Sequence, residues 1–199
     1  MPALKPFLQA KRIEVGCDEA GRGCLAGPVT AAAVIIPKGV TIKGLNDSKQ
    51  LTASNREALR FEIEEKCYWS VQFVGPEKID EINILNASIL AMHLSLSELK
   101  QAFDHILVDG NRFKAFQHIP HTTVIKGDGI YQSIAAASIL AKTHRDDFMA
   151  QLEQDFPQYA WGKNKGYPTQ AHRQAIAQYG ACIHHRKSFK LLPSQLQLF

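Results

Sequence analysis

The chain has 199 residues, of which 45% are hydrophobic and 21% charged, and its formal net charge is +4. These values are ordinary for a globular protein, and the length suits one domain with a real core. No apolar run is long enough to span a bilayer, which excludes a protein with membrane-spanning helices. The N-terminus also lacks the apolar segment that is typical of a secretory signal. The small basic surplus is compatible with a polyanionic partner but does not establish one.

The four cysteines support an intracellular location. Cys17, Cys24, Cys67 and Cys182 form no CxxC pair and match no zinc motif. Cys17 and Cys67 lie in apolar, strand-like runs, which is typical of buried free thiols in a reducing compartment. We therefore expect a cytoplasmic protein without a membrane partner.

In chain order, apolar and β-branched runs predict strands, and apolar residues at helical spacing predict helices. The predicted strands are Ile13–Cys17, Gly27–Ile36, Cys67–Val74, His105–Val108 and Thr122–Ile125. The predicted helices are Thr52–Lys66, Asn83–Phe103, Ile130–Lys142 continued by Arg145–Phe156, and Thr169–Tyr179 with Thr169 as its N-cap. Trp161–Pro168 is expected to be a basic loop. This order predicts an α/β sandwich around a mixed sheet, formed by residues 1–192 as one domain.

Three aspartates follow apolar strands and stand close to glycines: Asp18, Asp109 and Asp128. Ligands of such sheets favour the carboxyl ends of the strands. If these ends are neighbours, the clustered carboxylates require protonation or a cation. Carboxylates without histidine or cysteine suit Mg²⁺ or Mn²⁺, and two such ions ~4 Å apart can act on a phosphodiester. The alternative is that each Asp-Gly pair is only a turn.

Glu19 follows Asp18 directly, and adjacent side chains of a strand point to opposite faces. Glu19 can therefore join a site with Asp18 only if the chain turns at Ala20-Gly21. The glycines Gly21 and Gly23 would also let the backbone approach a ligand closely.

Basic and aromatic residues in several segments suggest a surface for a nucleic acid. Backbone groups of Gly21-Arg22-Gly23 could separate ribose from deoxyribose through the 2′-hydroxyl, and Tyr167 could stack on a sugar or base. The alternative is that the lysines are solvated and that Tyr167 anchors a loop to the core. The cations considered as phosphate contacts are Arg22, Lys49, Lys126, Lys142, Arg145, Lys163, Lys165, Arg186 and Lys187. Five histidines are interpreted as structural or surface groups: His93, His144, His172, His184 and His185.

The run VGCDEAGRGCLAGPVTAAAVI resembles the opening motif of the ribonuclease HII family. Later motifs of that family are matched in the expected order, from Ile13 to Phe189, by GLNDSKQLTASNR, INILNASILAMH, HILVDGN, VIKGDGIYQSIAAASILAKTHRD, KNKGYPTQAH and HHRKSF. The segment GACIH before HRKSF departs from the family, which often has a proline after the glycine. The sister class, ribonuclease HIII, usually carries an extra N-terminal domain, whereas only about a dozen residues precede the first motif strand here.

The resemblance implies a ribonuclease H-like fold with a helical C-terminal region, and an endonuclease for RNA within RNA–DNA duplexes, including single embedded ribonucleotides. Cleavage would leave a 3′-hydroxyl and a 5′-phosphate. Its implied catalytic residues, which would hold two Mn²⁺ or Mg²⁺ ions, are Asp18, Glu19, Asp109 and Asp128. Its implied substrate contacts are Gly21, Arg22 and Gly23 at the 2′-hydroxyl, Tyr167 at the sugar, and Ser48 and Lys49 by the backbone. We expect a monomer. Two alternatives remain open: a non-catalytic hybrid-binding module, and a nuclease or phosphotransferase of the same fold acting on another substrate, such as a DNA junction.

The chain ends in QLQLF, which resembles a short motif by which bacterial replication and repair proteins bind the sliding clamp. The anchors would be Gln195, Leu196, Leu198 and Phe199 within a flexible docking peptide, residues 193–199. The alternative is a C-terminal strand of the core.

Overall fold

A five-stranded mixed sheet organises the chain in the computed structural model, which describes residues 4–46, 48 and 51–192. The strands lie in the spatial order β3-β2-β1-β4-β5. Their bounds are β1 Glu14–Ala20, β2 Val29–Ile35, β3 Tyr68–Val74, β4 His105–Asp109 and β5 His121–Val124. β1 pairs antiparallel with β2 and parallel with β4, and β4 pairs parallel with β5. The prediction of a mixed α/β sheet is confirmed.

The helices cover both faces of this sheet. They are α1 Ala53–Lys66, α2 Pro76–Glu98, α3 Gln132–Asp155, α4 Trp161–Asn164 and α5 Gln170–Tyr179. Thr169 caps α5 as predicted, because its hydroxyl accepts a hydrogen bond from the backbone N–H of His172 at 3.2 Å. None of the helices in the described part of the chain combines the length and the apolarity that a membrane span needs.

Both bounds of the second predicted helix are wrong, and the predicted loop Trp161–Pro168 is partly helical. The second helix begins at Pro76 rather than Asn83, because proline fits the first turn of a helix, where its missing N–H costs nothing. The backbone leaves helical geometry at Asn83 (φ 64°, ψ 164°), and the helix ends at Glu98 rather than Phe103. The loop expected from Trp161 starts with the short helix α4, whose Trp161 side chain is fully buried.

The two faces of β1 contact different helices. Val15 and Cys17 belong to an apolar cluster with the α2 residue Ala87, whereas Gly16 packs directly on the backbone of α3 at Ser133 and Ile134. The alternation of β1 therefore directs Asp18 towards α3 and Glu19 towards α2. Small residues of α3 allow this close approach of helix and strand.

Candidate active site

Asp18 and Asp109 lie side by side at the carboxyl end of the sheet. Cys17 and Val108 are paired across the parallel strands β1 and β4, and the two aspartates are the next residues along each strand. Each carboxylate accepts a backbone hydrogen bond: Asp18 Oδ1 from the N–H of Glu19, and Asp109 Oδ1 from the N–H of Gly127, both at 2.7 Å. The carboxylates are therefore held in fixed orientations on one face of the sheet.

The surroundings of Asp18 disfavour its negative charge. The side chain is buried, and the pKa of its carboxyl group is raised well above the usual value by burial and by the nearby carboxylates of Glu19 and Asp109. The N–H of Glu19 and the hydroxyl of Ser138 in α3 oppose this shift by hydrogen bonding to the carboxylate. A cation at this position would relieve the repulsion.

Ser138 is a site residue that the sequence interpretation missed. Ile134, Ser138 and Arg145 stand at positions i, i+4 and i+11 of α3, which is one helical face. Along β1 they contact, in order, Gly16, Asp18 and, at the strand end, Gly21. This helical spacing was the signal that could have identified Ser138.

Glu19 lies on the other face of β1. Its carboxylate forms an ion pair with Arg22 at 3.1 Å and lines a small cavity together with Asp109 of β4, the following Gly110 and Leu85 of α2. The chain turns where this was expected, because β1 ends at Ala20 and Gly21 has φ +91°. Glu19 reaches the end of the sheet from the α2 side, while Asp18 reaches it from the α3 side.

Asp128 is buried in the short 3-10 turn Gly127–Gly129 between β5 and α3. Lys126 precedes this turn in the left-handed conformation (φ 57°), and the N–H of Gly127 binds Asp109. The turn is thereby fastened to the end of β4, which brings Asp128 to the same edge of the sheet as the first two aspartates.

The donor set fits a hard divalent cation. Asp18 and Asp109 are the best placed of the four acids to hold one, with Glu19 and Asp128 at the same edge. Among residues 4–46, 48 and 51–192, no three acidic, imidazole or thiol side chains converge as a complete metal cage. Mg²⁺ typically uses one or two carboxylates together with water and substrate phosphates rather than such a cage.

The predicted substrate residues Gly21, Arg22, Gly23 and Tyr167 occupy two adjoining loops. The N–H of Leu25 donates to the carbonyl of Gly166 at 2.8 Å, and the Tyr167 phenol forms a hydrogen bond with the thiol of Cys24. Tyr167 remains 39% exposed, which leaves part of its ring available to a ligand. The structure therefore brings the Gly21–Gly23 turn and Tyr167 together beside the carboxylates.

Arg145 and Arg186 are not surface phosphate contacts, and this part of the sequence interpretation is wrong. Their exposures are 1% and 0%. Arg145 donates to the carbonyls of Pro28, Ala26 and Lys165 at 2.8–3.0 Å. Arg186 donates to those of Gly27 and Arg22 at 2.9–3.0 Å, and burial lowers its pKa to about 10. The two guanidinium groups hold the loops of the site together from inside.

Two predicted backbone contacts have different outcomes. Ser48 is buried, and its hydroxyl lies 2.8 Å from that of Ser138, which in turn contacts Asp18. Its role at the substrate stays a prediction. Lys49 lies outside the described residues, as do Gln195, Leu196, Leu198 and Phe199 of the C-terminal motif.

Comparisons with known proteins identify the family of the chain. The sequence model of the family described as ribonuclease HII matches residues 15–192. Ribonuclease HII of Bacteroides fragilis is 61% identical over 198 residues, which cover 98% of each chain.

Solved structures show the same fold. Ribonuclease H2 of Pyrococcus horikoshii OT3 is similar with a TM-score of 0.75 and 26% identity, over 89% of this chain and 94% of that one. RNase HII of Archaeoglobus fulgidus, solved in a complex with PCNA, is similar with a TM-score of 0.77 and 27% identity, over 94% and 100%. The ribonuclease H-like fold is confirmed, and the non-catalytic alternative is excluded by the family. The chain belongs to the ribonuclease HII family and is a ribonuclease H type 2 enzyme, a hydrolase.

Proposed function

We propose that this enzyme cleaves the RNA strand of RNA–DNA hybrids and duplex DNA that contains a single ribonucleotide, on the 5′ side of the ribonucleotide. Water adds to the phosphorus, the bond from phosphorus to the 3′-oxygen breaks, and a proton ends on that oxygen. The products are a 3′-hydroxyl and a 5′-phosphate. The observation that carries this proposal is the pairing of Asp18 and Asp109 next to the loops of Gly21–Gly23 and Tyr167.

Asp18, Glu19, Asp109 and Asp128 are proposed to hold two divalent ions, Mg²⁺ or Mn²⁺. When bound, such ions lower the pKa of an attacking water and stabilise the leaving oxygen. The protein contributes fixed carboxylates, since backbone N–H groups orient Asp18 and Asp109. The raised pKa of Asp18 supports this assignment, because burial and the negative charges of Glu19 and Asp109 raise it and a cation would neutralise those charges.

The Gly21-Arg22-Gly23 turn is proposed to bind the 2′-hydroxyl at an RNA-to-DNA junction through its backbone. Gly21 has a positive φ, and an added Cβ would collide with Arg145, whereas a Cβ at Gly23 would meet nothing within 4 Å. The open side at Gly23 is where a ribose would approach. Tyr167 is proposed to pack on the neighbouring sugar, with Ser48 and Lys49 near the phosphate backbone.

A panel of duplexes tests this function. Duplexes with no, one or many ribonucleotides are incubated with the enzyme in Mg²⁺, in Mn²⁺ and in EDTA, and the ends of the products are mapped. We expect cleavage of the duplexes with one and with many ribonucleotides, only with a metal. Cleavage of the all-DNA duplex, or of a DNA junction added to the panel, would favour the remaining alternative of another substrate.

A sliding clamp is the proposed protein partner. The RNase HII of A. fulgidus was solved in complex with PCNA, and the QLQLF ending of this chain resembles a clamp-binding motif. Deletion of residues 195–199 should abolish clamp pull-down and leave cleavage of naked duplex intact. Unchanged pull-down would refute the docking role of this peptide.

A further inference from the structure

Two buried histidines lie directly behind Tyr167. His172 in α5 and His185 in the C-terminal segment are almost completely inaccessible to solvent. Their ring centroids are 5.3 Å apart, and the rings pack against Trp161 and Tyr159. The proposed chemistry of the carboxylates uses neither histidine.

The hydrogen-bond partners of His172 determine its tautomer. Its Nδ1 lies 2.9 Å from the carbonyl oxygen of Tyr167, which can only accept, so Nδ1 carries the proton. Its Nε2 lies 2.9 Å from Nε1 of Trp161, and the indole N–H can only donate. Nε2 is therefore unprotonated, and the ring is neutral.

The tautomer of His185 follows from its own Nδ1, which accepts from the backbone N–H of Cys182 at 3.1 Å, so a neutral ring carries its proton on Nε2. That Nε2 lies 3.2 Å from Nε2 of His172 and donates to it, sharing this acceptor with the indole N–H of Trp161. The hydrogen bonds run in one direction, from Cys182 through His185 and His172 to the carbonyl of Tyr167. Burial lowers the pKa of both histidines, which agrees with neutral rings.

This chain of hydrogen bonds ends on the backbone of the residue that faces the substrate. The carbonyl of Tyr167 also accepts from the N–H of Thr169 at 2.8 Å, and the phenol contacts Cys24 at the other end of the side chain. The backbone of Tyr167 is thus held from the protein interior while its ring borders the Gly21–Gly23 turn.

We propose that His172, kept in one tautomer by His185 and Trp161, is a positioning residue that fixes Tyr167 for reading the sugar at an RNA-to-DNA junction. This inference rests on the proposed function of Tyr167. His172 acts only through the Tyr167 carbonyl, so its effect should disappear when the tyrosine ring is absent.

Two variants of similar size separate positioning from simple packing. In His172→Asn the amide N–H lies close to the position of Nδ1 and keeps the donor to Tyr167, whereas in His172→Gln the amide lies near Nε2 and the donor is lost. The readout is the ratio of kcat/KM for a duplex with one ribonucleotide to kcat/KM for an all-RNA hybrid. We expect H172Q to lower this ratio about tenfold, the size of one lost hydrogen bond, and H172N to stay within about threefold of wild type.

A double-mutant cycle with Tyr167→Ala distinguishes an error in the positioning role of His172 from an error in the proposed function of Tyr167. We expect Y167A to lower the ratio, and H172Q to have no further effect in the Y167A background. If Y167A lowers the ratio but H172Q and H172N behave alike, or if the effects are additive, the positioning role is wrong. If Y167A leaves the ratio unchanged, the proposed function of Tyr167 is wrong and the inference falls with it.

The wild-type protein provides a second measurement, independent of activity and of the folding of the variants. NMR of the imidazole nitrogens at pH 7 should show His172 protonated at Nδ1 and His185 at Nε2, both neutral. A charged ring, or the opposite tautomer of His172, would overturn the proposal.

Discussion

Asp18 and Asp109 share one face of two parallel strands, and each carboxylate is oriented by a backbone N–H at 2.7 Å. Neighbouring strands lie about 5 Å apart, and two unit charges at that distance repel by about 3 kcal/mol at an effective dielectric constant of 20. The folded chain keeps these two repelling carboxylates together at the carboxyl end of the sheet. A bound cation would neutralise the repulsion, so the arrangement suits an enzyme that binds cations there.

Replacing Asp18 by asparagine should stabilise the protein in EDTA at pH 8. The folded-state pKa of Asp18 is raised, so its contribution to stability is present below the unfolded pKa and lost as the pH rises. Asparagine keeps the hydrogen-bond acceptor without the charge. We expect the free energy of unfolding to rise, because asparagine removes a buried charge that Glu19 and Asp109 repel.

Urea unfolding measures this change, and Asp155→Asn, at an exposed position, is the control. Divalent cation should reduce the difference between D18N and wild type. A D18N protein that is less stable than wild type in EDTA at pH 8 would show that the charge of Asp18 is not unfavourable.

Gly21 and Gly23 should respond differently to alanine. Gly21 has φ +91°, and its Cβ would overlap the side chain of Arg145, so Gly21→Ala should lower both the free energy of unfolding and cleavage. Gly23→Ala has space for the methyl group and should leave stability within about 1 kcal/mol. Its effect should appear in KM for junction substrates. Equal losses of stability in the two variants would contradict this distinction.

Arg145→Lys should destabilise the protein although the charge is kept. The guanidinium group donates to three backbone carbonyls, of Pro28, Ala26 and Lys165, and a lysine cannot reach all of them. Leaving buried acceptors unpaired costs about 1–3 kcal/mol each. Thermal unfolding compares R145K with Lys163→Ala, an exposed cation of α4 that should change stability by less than about 0.5 kcal/mol.

Acid should weaken the fold through His185. Burial and the adjacent His172 lower its pKa to about 4, so the unfolded chain binds more protons than the native state below about pH 6.5. Between pH 7.5 and pH 5, this histidine alone should remove about 2 kcal/mol of stability. In His185→Gln, which keeps a donor near Nε2, the loss between the two pH values should be smaller by that amount. An unchanged pH dependence would mean that His185 titrates normally.

The location of the acids in the fold was easier to predict from the sequence than the contacts of the residues around them. Asp18, Asp109 and Asp128 were identifiable because each follows an apolar run, and the parallel pairing of β1 with β4 then brings the first two together. Arg145 and Arg186 were interpreted as phosphate contacts because the sequence offers no evident acidic partner for them. Their partners are backbone carbonyls, and a sequence pattern does not reveal such acceptors. Ser138 was missed because it lies among other small residues of α3. The residue type alone does not distinguish a serine that packs closely from one that forms a hydrogen bond in the site.

Backbone geometry explains the remaining differences. Gly75-Pro76 reads as a stop after a strand, but proline is equally suited to begin a helix, and α2 starts there. The sequence has no glycine or proline at Asn83 to indicate the break in the helix. The side chain of Asn83 accepts from the N–H of Asn86 at 3.1 Å and caps the following segment.

The role of Asp109 is tested by measuring how fast Asp109→Asn cleaves a duplex with one ribonucleotide under single-turnover conditions. A gel-shift assay measures binding of the same duplex. Asparagine preserves the acceptor for the N–H of Gly127 and removes the charge, so the loop should stay in place. We expect turnover to fall by at least about 10³-fold while duplex binding stays within about threefold, because the reaction loses electrostatic support. Asp155→Asn should match wild type in both assays. Cleavage by D109N at the wild-type rate would contradict the assignment of Asp109 and, with it, the proposed active site.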